Sequence, residues 1–244
     1  MRLDKFLVST GKLSRSEAGR AARGGQITVN GVVEKRADRQ IDPDLDVVVL
    51  NGETIHYRKF TYILLNKPDG VVSATEDGRD KTVLDLLPDE LQRIGLFPCG
   101  RLDKHTLGLV LLTNNGPLGH RLLSPRHHVQ KRYLYTCRSP LAEADRLLLE
   151  RGVTLEDGYM TKPARITPGK DDLSGEITLI EGKYHQIKRM FEAVDNKITE
   201  LERVTFGPLS LDPALERGEW RELTEQEIAE LQKHNRNTNR KETE

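Results

Sequence analysis

Leu109–Leu112 is an unbroken apolar run, followed by Thr113-Asn114-Asn115-Gly116 and preceded by the glycine-containing turn Gly100-Arg101-Leu102-Asp103-Lys104. Apolar residues without alternation, bounded by turn residues, read as a buried strand, here Leu109–Thr113. A chain that holds such a strand must build a layered domain around it. The turn that leads into it carries one acid, Asp103, among Arg101, Lys104 and His105. From residue 104 to residue 142 the chain holds six basic residues, four of its seven histidines and no acid. A carboxylate in that field stays ionised, because neighbouring cations favour the charged form. A permanently ionised carboxylate suits a nucleophile and not a general acid. A turn aspartate can also simply bond its own backbone, and spacing alone favours that role. No second carboxylate lies close in sequence, which speaks against paired-acid glycoside chemistry.

The 38 basic and 38 acidic residues cancel, which taken alone argues against a nucleic-acid partner. The charges are separated, however. Residues 1–40 carry nine basic and four acidic side chains, and residues 104–142 form a second basic region, so a polyanion touching both is expected. No apolar run approaches eighteen residues, and the start MRLDKFLVST lacks the apolar core of a secretory signal, so a cytoplasmic protein with no membrane span is expected. Cys99 and Cys137 have no metal-type spacing and read as free thiols. His105, His120, His127 and His128 show no zinc spacing either. The cationic segment RHHVQKR would repel a dication and suits phosphate contact, so no metal is expected.

The first 59 residues read as a compact module. Leu3, Phe6 and Leu7 have helical spacing, and Ser14 is an N-cap for a second helix, Arg15–Arg23. Alanines 18, 21 and 22 allow that helix to pack closely while Arg15, Arg20 and Arg23 project, either as a solvated face or as an RNA grip. Gly24-Gly25 stops the helix, QITVNGVV is a hairpin turning at Asn30-Gly31, and DVVVL is a further strand. In the segments RLDKFL, SRSEAGRAARGGQITVNGVV and DVVVL the chain resembles the S4 RNA-binding domain, which implies a module that grips structured RNA through shape and phosphates.

A linker around Asn51–Phe60 is expected to lead into a second domain spanning residues 60–232, followed by a polar tail, 233–244. Strand patterns (YILLNK, KRYLYTCR, GEITLIEG, KITELERVTFGPLSL) alternate irregularly with helical ones (KTVLDLLP, 117–123, LAEADRLLLERG, HQIKRMFEAVDN, and a last helix capped by Thr224). The lack of a regular βαβ beat predicts an α+β fold with a mainly antiparallel mixed sheet and flanking helices.

Tyr133 and Tyr135 share one strand face, as core aromatics or, beside a basic run, as a stacking surface for a flipped base. In YHQIKRMF the apolar face pushes Lys188 and Arg189 to the flank, where either could meet a carboxylate, a phosphate or only solvent. GRLDKHTLGLVLLTNNG, LLNKPDGVVS, KRYLY and EGKYHQIKRMF together resemble the pseudouridine synthases that act on ribosomal RNA. SPRHH and the Lys188-containing YHQIKR resemble most the small-subunit branch, the 16S rRNA pseudouridine-516 synthases. The resemblance implies Asp103 as the catalytic acid, Tyr133 stacking on the uracil and Lys188 pairing with Asp103. It further suggests Arg15, Arg20, Arg23, Lys67, Arg101, Arg126, His127, His128, Lys131, Arg132 and Arg189 as RNA-binding groups, with Lys67 and Arg101 as phosphate or loop-positioning residues. No cofactor is implied. The expected partner is 16S ribosomal RNA or a small-subunit assembly intermediate, and the expected state is a monomer. A 23S rRNA synthase and a non-catalytic S4-type assembly factor are the alternatives.

Overall fold

The computed structural model describes residues 1–124 and 129–237. The first elements are α1 (Leu3–Ser9), α2 (Arg15–Arg23), β1 (Ile27–Val29), β2 (Val32–Val33), β3 (Val48–Leu50) and β4 (Glu53–Ile55). Ser14 caps α2 reciprocally: its hydroxyl accepts from Glu17 N, and the Glu17 carboxylate accepts from Ser14 N. The buried alanines 18, 21 and 22 seat α2 against α1, leaving Arg15, Arg20 and Arg23 exposed. Asn30 and Gly31 turn the β1–β2 hairpin at positive φ. The four strands form an antiparallel sheet ordered β2-β1-β3-β4. The expected linker is therefore not one at its start. Glu53–Ile55 is a strand of this sheet, Ile55 is buried, and Tyr57 stacks on Phe6 with ring centroids 5.8 Å apart. The polar Glu53 and Thr54 mask it in sequence, as suits an edge strand.

The rest comprises β5 (Tyr62–Lys67), a 3₁₀ turn (Leu84–Leu86), α3 (Asp89–Gln92), β6 (Phe97–Cys99), β7 (Leu107–Thr113), α4 (Gly116–Leu123) and β8 (Lys131–Cys137). Then follow α5 (Glu143–Arg151), β9 (Arg165–Pro168), β10 (Ser174–Leu179), α6 (Gln186–Glu192), β11 (Ile198–Phe206), β12 (Leu209–Ser210), β13 (Trp220–Glu222) and α7 (Glu225–Asn237). The last helix runs into the stretch expected to be tail. Thr224 and Glu227 close its first turn with a capping box.

These strands make one nine-stranded sheet, β13-β5-β7-β11-β8-β10-β9, with β6 on β7 and β12 on β11. Every pairing is antiparallel except β7 with β11. The mainly antiparallel α+β expectation holds.

Two apolar layers cover the sheet, and the central strands feed both. Val110 and Leu112 join the core that contains Ile187, Met190 and Phe191 of α6, while Leu109 and Leu111 join the core containing Leu118 of α4 and Leu231 of α7. The Leu109–Leu112 run lacks alternation because both faces of its strand are buried. All four side chains are at 0% exposure, each worth about 1.5–3 kcal/mol. At the parallel junction Gly108 faces Arg203 at φ +96°, and a Cβ there would lie 2.3 Å from the Arg203 carbonyl oxygen. Only glycine permits that approach.

Candidate active site

The segment between β6 and β7 carries Asp103, and its backbone is held at every second residue. Arg203, fully buried on β11, donates through Nη2 to Gly100 O at 2.8 Å and through Nε to Leu109 O at 2.8 Å. Leu102 N donates to Ser73 Oγ. Lys67, fully buried at the end of β5, donates to the carbonyls of Lys104 and Thr106, both at 2.9 Å, and of Pro68 at 3.0 Å. With residues 100, 102, 104 and 106 tied inward, Arg101 and His105 are exposed and Asp103 is partly so.

The Asp103 carboxylate is 28% exposed, open enough for a substrate to reach. Lys188 Nζ lies 3.6 Å from Oδ2, and His185 Nε2 lies 3.6 Å from Oδ1. Both separations are ion-pair distances too long for hydrogen bonds, so the carboxylate is electrostatically flanked while its lone pairs stay available. Two of the three groups expected from sequence to surround Asp103 are engaged elsewhere: Lys104 pairs with Asp80 at 2.7 Å and His105 with Asp69 at 2.9 Å. Lys188 and His185 take their place from the start of α6. His185 immediately precedes α6 and Lys188 is three residues on, the spacing that puts two side chains on one helical face. That spacing in YHQIK was the signal for His185, which sequence reasoning passed over. Arg203 was also missed, although the two-residue period from Leu201 places it inward.

Tyr133 on β8 is 9% exposed and belongs to the α6-side core. Among the described residues the one sealed, unpartnered side-chain polar atom is Thr106 Oγ1. The Tyr133 hydroxyl makes no hydrogen bond among the described residues.

Of the expected RNA-binding lysines, Lys67 fits the loop-positioning role and not the phosphate role, and Lys131 is half-buried. All three Lys67 donors are used on main-chain carbonyls, and burial pulls its ammonium down to about 8. It positions the loop and has no access to a phosphate. Lys131 donates to Val129 O at 2.9 Å and lies over the Phe206 ring. Burial first, and then the Arg203 charge, lower it to about 8 as well. Arg132 pairs with Glu176 at 3.0 Å and Arg189 with Asp157 at 2.6 Å. Arg15, Arg20, Arg23 and Arg101 are exposed and make no ion pair within 4 Å among the described residues. Arg126, His127 and His128 lie outside the described residues. No helix among the described residues is long and apolar enough to cross a membrane.

The chain that places this partly exposed carboxylate between a lysine and a histidine is similar to known proteins over nearly its whole length. The model of the RNA pseudouridylate synthase family matches residues 61–193, and that of the S4 domain matches residues 1–47. The chain is 47% identical over 231 residues to an uncharacterized RNA pseudouridine synthase, YtzG, of Bacillus subtilis, covering 93% of this chain and 97% of that one. It is 43% identical over 235 residues to ribosomal small subunit pseudouridine synthase A of Escherichia coli strain K12, covering 95% and 100%. A crystal structure of a pseudouridylate synthase superposes with a TM-score of 0.67 at 38% identity, covering 95% of this chain and 99% of that one. The chain belongs to the RNA pseudouridylate synthase family and is an enzyme of that class, with an S4 domain at its N-terminus.

Proposed function

We propose that this enzyme converts one uridine of small-subunit ribosomal RNA, the one at position 516 of 16S RNA, to pseudouridine, with Asp103 as the catalytic carboxylate. The reaction breaks the N1–C1′ bond, turns the uracil and joins C5 to C1′. The C5 proton leaves and N1 gains one, so atoms balance within the nucleotide and nothing is oxidised or reduced. The reaction therefore draws on no redox cofactor.

The observation that carries the reading is the Asp103 carboxylate, which has a cationic or proton-donating side chain 3.6 Å from each oxygen and no hydrogen bond on either. Two routes start there, attack on C1′ or removal of a ribose proton as the base departs. Both need an ionised, aimed carboxylate with free lone pairs. Lys188 places a positive charge 3.6 Å from it, and as a point charge it leaves the aiming to the loop clamped by Lys67 and Arg203. Tyr133 offers its ring to the uracil and its hydroxyl near C5. A uridine in folded RNA must first be extruded, at a cost on the order of a few kcal/mol. The exposed Arg15, Arg20, Arg23 and Arg101, with Arg126, His127 and His128, supply phosphate contacts that offset it. The RNA is met as 16S RNA or as an assembly particle by one copy of the protein in the cytoplasm.

The small-subunit target is supported by the likeness to the small-subunit enzymes and by Lys188 in the YHQIKR segment. A pseudouridine map of both ribosomal RNAs from cells lacking the protein tests it. A single site lost from 16S RNA is expected. A site lost from 23S RNA, with 16S unchanged, would reject the target and keep the reaction.

A further inference from the structure

We propose that Tyr184 and His185 form a docking platform for the nucleobase adjacent to the target uridine, an inference that rests on the synthase reading above. Tyr184 is 76% exposed, and its ring stacks on that of His185 with centroids 3.9 Å apart and planes 16° from parallel. The inner ring of this stack is the one whose Nε2 lies 3.6 Å from Asp103 Oδ1. The stack thus begins at the reactive carboxylate and ends in an open aromatic face.

The turn that presents it is braced for that purpose. His185 sits in the left-handed region, at φ 49° and ψ 31°, a conformation that persists only where its surroundings over-determine it. Gln186, 4% exposed, supplies the brace: its Oε1 accepts from Lys183 N at 2.9 Å and its Nε2 donates to Glu181. The Tyr159 hydroxyl holds the other Glu181 oxygen at 2.8 Å. Arg189 donates to Tyr184 O and is itself tied to Asp157. A polar network centred on the buried Gln186 therefore fixes the backbone while the aromatic side chain is left outside.

A rigid aromatic face beside a site that must hold an extruded base suits a neighbouring base better than a phosphate. Unstacked RNA bases settle on aromatic rings, and because every base has a π-face the contact is tolerant of sequence. Of the cations on this turn, Arg189 already has a carboxylate partner and the Lys183 ammonium lies over the Tyr159 ring, 4.5 Å from its centroid. Such a contact strengthens binding without touching the reacting bond, so it belongs in KM.

The test uses the full-length enzyme and the ribosomal RNA fragment in which the wild-type protein forms pseudouridine, prepared intact and with an abasic residue on either side of the target. Tyr184→Ala should raise KM on intact RNA by about 5- to 150-fold, with kcat and the salt dependence of KM near their wild-type values. Tyr184→Phe, which keeps the ring, should recover most of that loss. One abasic substrate should cost the wild type a similar factor and cost Tyr184→Ala little more. Full additivity of the two changes at both neighbours, or an unchanged KM in Tyr184→Ala, overturns the platform while leaving the synthase reading intact. A wild-type protein that forms no pseudouridine in any ribosomal RNA rejects that reading, and the platform with it.

Discussion

Lys188 Nζ stands 3.6 Å from Asp103 Oδ2, bringing together a lysine before the middle of α6 and an aspartate 85 positions earlier in the chain, on the loop into β7. If this pair keeps the carboxylate aimed, Lys188→Met should lower kcat by about 100-fold, the scale of loss for a misplaced reacting group. Lys188→Arg, which keeps the charge, should restore part of it. Single-turnover pseudouridine formation at saturating RNA measures both, and KM should move little.

His185 separates backbone from side chain. Its left-handed conformation is open to asparagine and costly for a β-branched residue. His185→Asn should melt within about 0.5 kcal/mol of wild type, and its kcat should fall because the imidazole facing Asp103 is gone. His185→Val should lose about 1–2 kcal/mol of stability in addition. Thermal denaturation of the two variants side by side checks the difference.

Lys67→Met leaves the carbonyls of Pro68 and Thr106 without their donor, while the Lys104 carbonyl keeps Gly70 N at 3.1 Å. Buried acceptors left unpaired cost about 1–3 kcal/mol each, so this variant should be among the least stable single substitutions of the catalytic domain. Urea denaturation should show the midpoint falling at unchanged slope, and residual folded protein should turn over slowly because the Asp103 loop has lost one of its two clamps.

Lys131 gives a pH signature. Its folded-state proton affinity is lowered from the ordinary lysine value of 10.5 to about 8. Between these two values the unfolded chain binds more protons than the folded one, so this group's contribution to stability rises with pH across the window. Lys131→Met removes the penalty. The variant's advantage over wild type should be largest near pH 7 and should shrink above about pH 8 by up to about 1.4 kcal/mol per pH unit. Denaturant midpoints at pH 7, 9 and 10 read the trend, and an advantage that grows with pH would contradict it.

The interior of this protein was more legible in its sequence than the wiring of its site. Leu109–Leu112, the Asn30-Gly31 hairpin and the Ser14 and Thr224 caps are local signals, and each element formed where its residues placed it. The strands β4, β6, β9 and β13 were not visible, because they are three or four residues long and mostly half-exposed or exposed, and Pro98 interrupts the second. Asp103 and Lys188 were legible as a pair only through the family motifs. Their surroundings were misjudged because neighbours in sequence need not be neighbours in space. Lys104 and His105 turn to Asp80 and Asp69, while His185 arrives from another element. Sequence left Lys67 between a phosphate and a loop-positioning role because composition shows charge and not burial, and three main-chain carbonyls can satisfy an ammonium as fully as a phosphate can.

The Asp103 carboxylate carries the chemistry, and RNA binding does not depend on its charge. Asp103→Asn is nearly isosteric and removes only the charge. Pseudouridine formation in small-subunit ribosomal RNA, scored by carbodiimide primer extension beside RNA affinity at the same salt concentration, tests the claim most directly. The account predicts no detectable pseudouridine and an affinity within a few-fold of wild type. Substantial turnover by Asp103→Asn would contradict it.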